Sequence, residues 1–135
     1  MAVNEIKVVF GGGLKVDAVL RGQVIRTDQP VRDGGEGTAP APFDLFLASL
    51  ATCAGYYALA FCNARGIPTE GLALSLVTEK EAGAKTIGRM TIRIGLPAGF
   101  PEKYNDAIVK AVDACAVKAH INNPPVFEVV AGPAK

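Results

Sequence analysis

From Leu45 to Cys62 the chain runs eighteen residues without a charge. As a helix such a run is about 27 Å long, close to the thickness of a bilayer's hydrocarbon layer. It must therefore be either a membrane span or a helix enclosed by protein. Ser49, Thr52, Gly55 and two tyrosines interrupt its apolar character, and Asp44, Asn63 and Arg65 bracket it tightly. The rest of the chain reads as amphipathic strands that need a helix to cover them. The run is thus expected to be the buried helix of a soluble domain, with no membrane as partner.

Its limits are written in the sequence. Pro42 suits the first turn of a helix, where a missing N–H costs nothing. Gly66 is placed to stop the helix as the residue just past its end, near Arg65. On the N-terminal side, residues 4–10 (NEIKVVF) read as a strand and Gly11, Gly12 and Gly13 as a turn. Leu14, Val16, Ala18 and Leu20 alternate with Lys15, Asp17, Val19 and Arg21, the period of a half-buried strand. Gly22 allows a tight turn into QVIRT, and the segment TDQPVRDGGEGTAPAP is a loop by its Gly, Pro and Asp content. Beyond the helix, residues 71–80 and 85–95 read as two strands joined by a turn at EAGA. Leu72, Leu74 and Leu76 mark one face of the first, and Met90, Ile92 and Ile94 one face of the second. Pro101 opens a second helix through Ile121, with Tyr104, Ile108, Val112 and Cys115 on its apolar face. Asn122 to Pro125 break the chain, and VFEVVA reads as a last strand. Strands grouped in hairpins and two separated helices give an α+β fold with antiparallel sheets, in one domain of 135 residues.

Charge excludes several functions. The 14 basic and 13 acidic residues leave a net charge of +1, with no basic stripe for nucleic acid. The N-terminal MAVNEIKVVFGGG has no apolar signal-peptide core, so a cytoplasmic protein is expected. Three cysteines are an odd number for a secreted disulfide framework. In a reducing compartment they are thiols by default.

Cys53 and Cys62 are nine residues apart, about 900° round one helix, and so face opposite ways. Cys53 shares its face with Ser49, Tyr56 and Tyr57. Cys115, on the second helix, can meet Cys53 where the two helices cross. By spacing alone the pair is either redox-active or simply small apolar filling, since free cysteine is among the most buried residue types. A metal site is not expected, because no CxxC or HxxxH spacing appears. The one histidine, His120, reads as an ordinary residue near a helix end. The glycine clusters at 11–13 and 34–37 read as turns, lacking phosphate-loop spacing.

Three stretches together resemble the OsmC/Ohr family: the loop TDQPVRDGGEGTAPAP, the helix start PFDLFLASLATC, and the second cysteine in DACAVKAHI. The resemblance implies an OsmC-like fold, antiparallel sheets around two central helices in an interleaved homodimer. That dimer would enclose the uncharged helix on all sides. It also implies reduction of organic hydroperoxides. Cys53 would be the attacking thiolate that becomes a sulfenic acid, and Cys115 would condense with it to a disulfide. No bound cofactor is implied; an external dithiol such as reduced lipoamide would restore the thiols.

Burial in an apolar helix raises a thiol's pKa, so the resemblance calls for an activating group. The family uses an arginine held by a glutamate at the start of the helix. Here that glutamate falls on Phe43, with Asp44 the nearest acid, and the arginine is Arg21 or Arg32. A residue ten positions before Cys53 lies about 15 Å along the helix, so such groups would have to come from the other subunit. The proline that often follows the second cysteine is Ala116. Phe43, Phe46, Tyr56 and Tyr57 are the candidate lining of a substrate site. They equally suit an alternative in which the dimeric scaffold binds a small apolar or acyl ligand without turnover, or serves as a stress-related oligomer.

Overall fold

The computed structural model describes residues 2–134. The chain divides between Ala48 and Ser49 into two compact units, a division that falls within the long helix.

The first unit holds a three-stranded antiparallel sheet, β1 (Lys7–Phe10), β2 (Val16–Leu20) and β3 (Gln23–Ile25), in the order β1-β2-β3. Phe10 pairs with Val16 and Leu20 with Gln23. The link from β2 to β3 is the two-residue turn Arg21-Gly22, with φ of 47° and 77°. Both values are left-handed, as the turn that matches strand twist requires. Arg21 is therefore a turn residue, not the last residue of the strand as its alternation suggested.

The loop after β3 is ordered. Asp28 is 1% exposed. Its carboxylate accepts hydrogen bonds from the Gln29 N–H at 2.7 Å, the Thr38 N–H at 3.0 Å and the Thr38 hydroxyl at 2.7 Å. These donors, the Thr38 hydroxyl first, lower its pKa from 3.8 to about 2. A short 3-10 turn, Val31–Asp33, lies inside the loop. Gly35 passes so close to Gln29 that a Cβ there would sit 2.0 Å from the Gln29 carbonyl oxygen.

Helix α1 spans Pro42–Ala64. Asp44, in its first turn, accepts the Ala41 N–H at 3.0 Å, a reach-back that satisfies one of the helix's orphan donors. At the other end Gly66 has φ of 64°. The Ile67 N–H bonds the Cys62 carbonyl at 3.0 Å and the Gly66 N–H the Asn63 carbonyl at 3.3 Å. This is the Schellman closure, and Ile67 completes it by turning into the core. The helix is long and apolar enough to cross a bilayer, by length and composition.

In the second unit, β4 (Ala73–Glu79) and β5 (Arg89–Gly95) form an antiparallel hairpin in which Leu74 faces Ile94 and Leu76 faces Ile92. The core gathers Ala54, Ala58, Phe61 and Cys62 of α1, Ile67, and Ile108 and Val112 of helix α2 (Asn105–Asp113). Leu72, Leu74, Ile92 and Ile94 close it from the sheet side. Each large apolar side chain buried here contributes about 1.5–3 kcal/mol. Arg65 locks the end of α1: its guanidinium lies 3.6 Å from the Phe61 ring centroid and donates to the Phe61 carbonyl at 3.2 Å.

Two expectations are corrected. The second helix is not continuous. It is a 3-10 turn (Glu102–Tyr104), then α2, then helix α3 (Ala116–Asn122), with the break at Ala114 and Cys115. VFEVVA forms no strand within the chain: residues 124–134 have no regular structure, and Val126, Phe127, Val129 and Val130 are 80–97% exposed.

Candidate thiol site at the start of helix α3

Cys53 lies on α1 beside that helix's buried face and is half-buried. Cys115 is the residue that precedes α3, with φ −52° and ψ 131°, and it is 1% exposed. It is thus not part of a helical face. The extended backbone at Cys115 starts a new helix, and a helix start presents N–H groups without carbonyl partners. Both cysteines are thiols in this structure.

The two sulfurs meet. The Cys115 thiol donates to Cys53, and the backbone N–H groups of Val117 and Ala116 point at the same sulfur. These three donors lower the Cys53 pKa, the Cys115 thiol most, and outweigh the burial that raises it. Cys115 moves the other way: burial pushes its thiol up, and its bond to Cys53 pushes it further. The pair is therefore split into a sulfur that ionises early and one that keeps its proton. An acidified thiol beside a second thiol is a pair able to be oxidised and to close a disulfide. Cys62 stands apart, fully enclosed in the core, with its pKa raised by burial and only partly offset by Arg65.

Sequence reasoning looked for a cation to acidify Cys53. That cation was expected from a second subunit; within the chain itself the acidifying groups are a thiol and two peptide N–H groups. Ala116 and Val117 carry no side-chain signal of this role. The available hint was the family's proline after the second cysteine, since proline at that place marks a helix start.

Asp44 caps the start of α1, nine residues and so about 13 Å before Cys53 along the helix. Arg21 occupies its exposed turn, and Arg32 is exposed beside Asp33 at 3.8 Å. Phe43 and Phe46 form a tilted ring pair 5.5 Å apart. Tyr56 and Tyr57 form an edge-on pair, also 5.5 Å apart. None of these four aromatic residues lines the apolar cavity of about 480 Å³ in the second unit. That cavity is walled by β5 and α2, with Cys115 in its lining. The His120 Nδ1 lies 2.7 Å from the Ala116 carbonyl oxygen, a local helix bond.

Comparison with known proteins bears on the whole chain. Among solved structures, it is similar to a proposed osmotic stress induced and detoxification response protein from Psychrobacter arcticus 273-4. That match has 23% identity and a TM-score of 0.72 over 88% of each chain. It is similar to an OsmC like protein from Mycoplasma pneumoniae at 14% identity and TM-score 0.68, over 91% of this chain and 89% of that one. It is also similar to an organic hydroperoxide resistance protein OsmC from Legionella pneumophila at 20% identity and TM-score 0.58, over 90% of each chain. These likenesses establish the α+β fold of helices and antiparallel sheets. A search of curated proteins finds no match. The family model for OsmC-like protein matches residues 35–130, a span that holds both Cys53 and Cys115. The chain therefore belongs to the OsmC-like protein family.

Proposed function

We propose that this protein reduces organic hydroperoxides with the Cys53–Cys115 pair. The observation that carries the reading is the split acidity of two adjoining thiols, one held toward its thiolate by three donors and the other kept protonated. The Cys53 thiolate attacks the outer oxygen of the hydroperoxide and the O–O bond breaks, leaving a sulfenic acid and an alkoxide. The alkoxide takes a proton, for which Cys115 is the adjacent donor, and departs as an alcohol. The Cys115 thiolate so formed attacks the Cys53 sulfur and expels hydroxide, closing the disulfide. A dithiol reductant, itself oxidised to a disulfide, returns both thiols. Membership of the OsmC-like family and likeness to an organic hydroperoxide resistance protein support a hydroperoxide as the substrate.

The protein acts as a pair of identical chains in this reading. An apolar helix with no charged face is normally enclosed, yet Phe43, Tyr56 and Leu59 of α1 are 42–64% exposed in the single chain. The strand-like Val126–Val130 likewise finds no ladder of its own. A second copy supplies both partners. Any role of Arg21 and Asp44 at Cys53 is then exercised across that interface, from one subunit to the other.

The test is to treat the reduced protein with cumene hydroperoxide and count thiols. Two thiols disappear in the wild type. Cys115→Ser accumulates a dimedone-reactive sulfenic acid on Cys53, and Cys53→Ser consumes no hydroperoxide. Thiols that persist in the folded wild type refute the activity.

A further inference from the structure

Asp113 and Lys118 form an ion pair that a continuous helix would forbid. Five residues apart, they would stand about 140° from each other round one helix, on different sides. They meet because the chain breaks between them, at Ala114 and Cys115. Alanine is the best of the helix formers, so the break needs support from beyond local preference.

The pair is also misplaced for the helices that carry it. Asp113 is the last residue of α2, where unpaired carbonyls gather negative partial charge. Lys118 lies in the first turn of α3, where N–H groups gather positive partial charge. Each charge alone disfavours its own helix end. Joined, they tie the end of α2 to the start of α3 across Cys115.

The break sets peptide donors free. In a continuous helix the Ala116 and Val117 N–H groups would bond the carbonyls of Val112 and Asp113. Here the Val112 carbonyl takes the Cys115 N–H at 3.2 Å instead, and the Ala116 and Val117 N–H groups turn to the Cys53 sulfur. The Lys118 N–H turns to the Cys115 sulfur in the same way. The groups that acidify Cys53 are the Cys115 thiol and these two peptides, and the Lys118 ammonium is not among them.

We propose that Asp113 and Lys118 are positioning residues for Cys53: their ion pair holds the chain in its broken form, and the break frees the Ala116 and Val117 peptides to face the sulfur. The inference rests on the thiol pair of the proposed function and on no particular oxidant. Both side chains are partly exposed, 37% for Lys118 and 65% for Asp113. Losing either partner should leave about two- to fivefold less Cys53 thiolate at a pH below its midpoint, the bias that an exposed ion pair supplies.

Alkylation of Cys53 by iodoacetamide, mapped by peptide mass across a pH series, reads the thiolate without a hydroperoxide. In Lys118→Met and in Asp113→Asn the midpoint should move to higher pH. Tm should hold, because each change removes a charge from the unfavourable end of a helix. Lys118→Arg keeps the pair and should keep the midpoint. Asp113→Lys combined with Lys118→Asp should restore it. That exchange separates positioning from direct charge, since an acid at 118 would raise the midpoint further if the ammonium acted on the sulfur through space. The proposal is overturned by a midpoint unmoved in the single variants, by a shift that comes only with a falling Tm, or by an exchanged protein whose midpoint stays as high as theirs. Cumene hydroperoxide consumption is followed in parallel. If the wild type alkylates early but consumes no hydroperoxide, the peroxidase reading fails and the midpoints still decide this one. If Cys53 of the wild type titrates as an ordinary thiol, this proposal fails whatever the hydroperoxide result.

Discussion

Replacing Ala116 by proline should slow Cys53 without harming the fold. The backbone is already prepared for it. Cys115, with φ −52° and ψ 131°, has the extended conformation that a residue before proline must adopt, and position 116 is the first of α3, where proline fits. A proline compatible with its site stabilises by about 0.4–1 kcal/mol through the unfolded chain, so Tm should hold or rise. What is lost is one N–H aimed at Cys53. A hydrogen bond to a charged group contributes about 1.5–3 kcal/mol. The low end is an upper bound here, because the Ala116 N–H is the weakest of the three donors and Cys53 is half-buried, so water shares the thiolate. That corresponds to at most about a tenfold drop in thiolate at a pH well below the Cys53 pKa. Part of the loss returns as nucleophilicity, which rises with thiol basicity with a coefficient of about 0.4–0.5, or up to about threefold. The net effect is a rate up to about threefold lower at low pH, and up to about threefold higher once Cys53 is fully ionised in wild type and variant alike. Initial rates with dithiobis-nitrobenzoate, measured against pH in a Cys62→Ala background, read this directly. The two profiles should cross. Parallel profiles, or a variant that loses rate at every pH, would show that the Ala116 N–H does not acidify Cys53.

Other perturbations have equally definite outcomes. The lowered Asp28 pKa contributes stability that is present above the ordinary carboxylate pKa of about 4 and is lost as pH falls toward about 2. Asp28→Asn should therefore flatten the acid limb of a Tm-versus-pH curve, and an unchanged limb would remove the Thr38 clasp as its cause. Gly35→Ala drives a methyl into the Gln29 carbonyl and should cost about 2–3 kcal/mol or more in denaturant unfolding, with Gly83→Ala, whose site is open but also at positive φ, as the milder control. Replacing Phe127 by Asp puts a charge into the unpaired strand-like tail and should shift the protein toward monomer in analytical ultracentrifugation. A variant that sediments as wild type would mean that the tail is not what joins two copies.

Much of the architecture was legible because it depends on local rules. Pro42 and Gly66 bound α1 closely, one by its missing N–H and the other by its left-handed backbone. The alternation of Leu72, Leu74 and Leu76 against Ile92 and Ile94 gave the β4–β5 hairpin and its buried face. The features that escaped depend on what lies across space. Residues 101–121 carry unbroken helical spacing, and neither Ala114 nor Cys115 is a helix breaker, so nothing local announced the turn that puts Cys115 at a helix start. Asp28 sits in a stretch rich in loop residues, and its burial follows from Thr38 ten positions on. Arg21 continued the strand's alternation although the tight turn had already begun there. The meeting of Cys53 and Cys115 was accessible as a possibility from helix positions, but the peptide donors that divide their acidity were not, because every residue except proline has the same N–H.

That sameness has a consequence for how the site responds to its surroundings. Ammonium and guanidinium groups near a thiolate are shielded by dissolved ions, and their influence wanes as salt is added. Neutral dipoles in direct contact with the sulfur recruit no counterions. The part of the Cys53 ionisation that these donors supply should accordingly hold nearly constant from dilute buffer to concentrated saline.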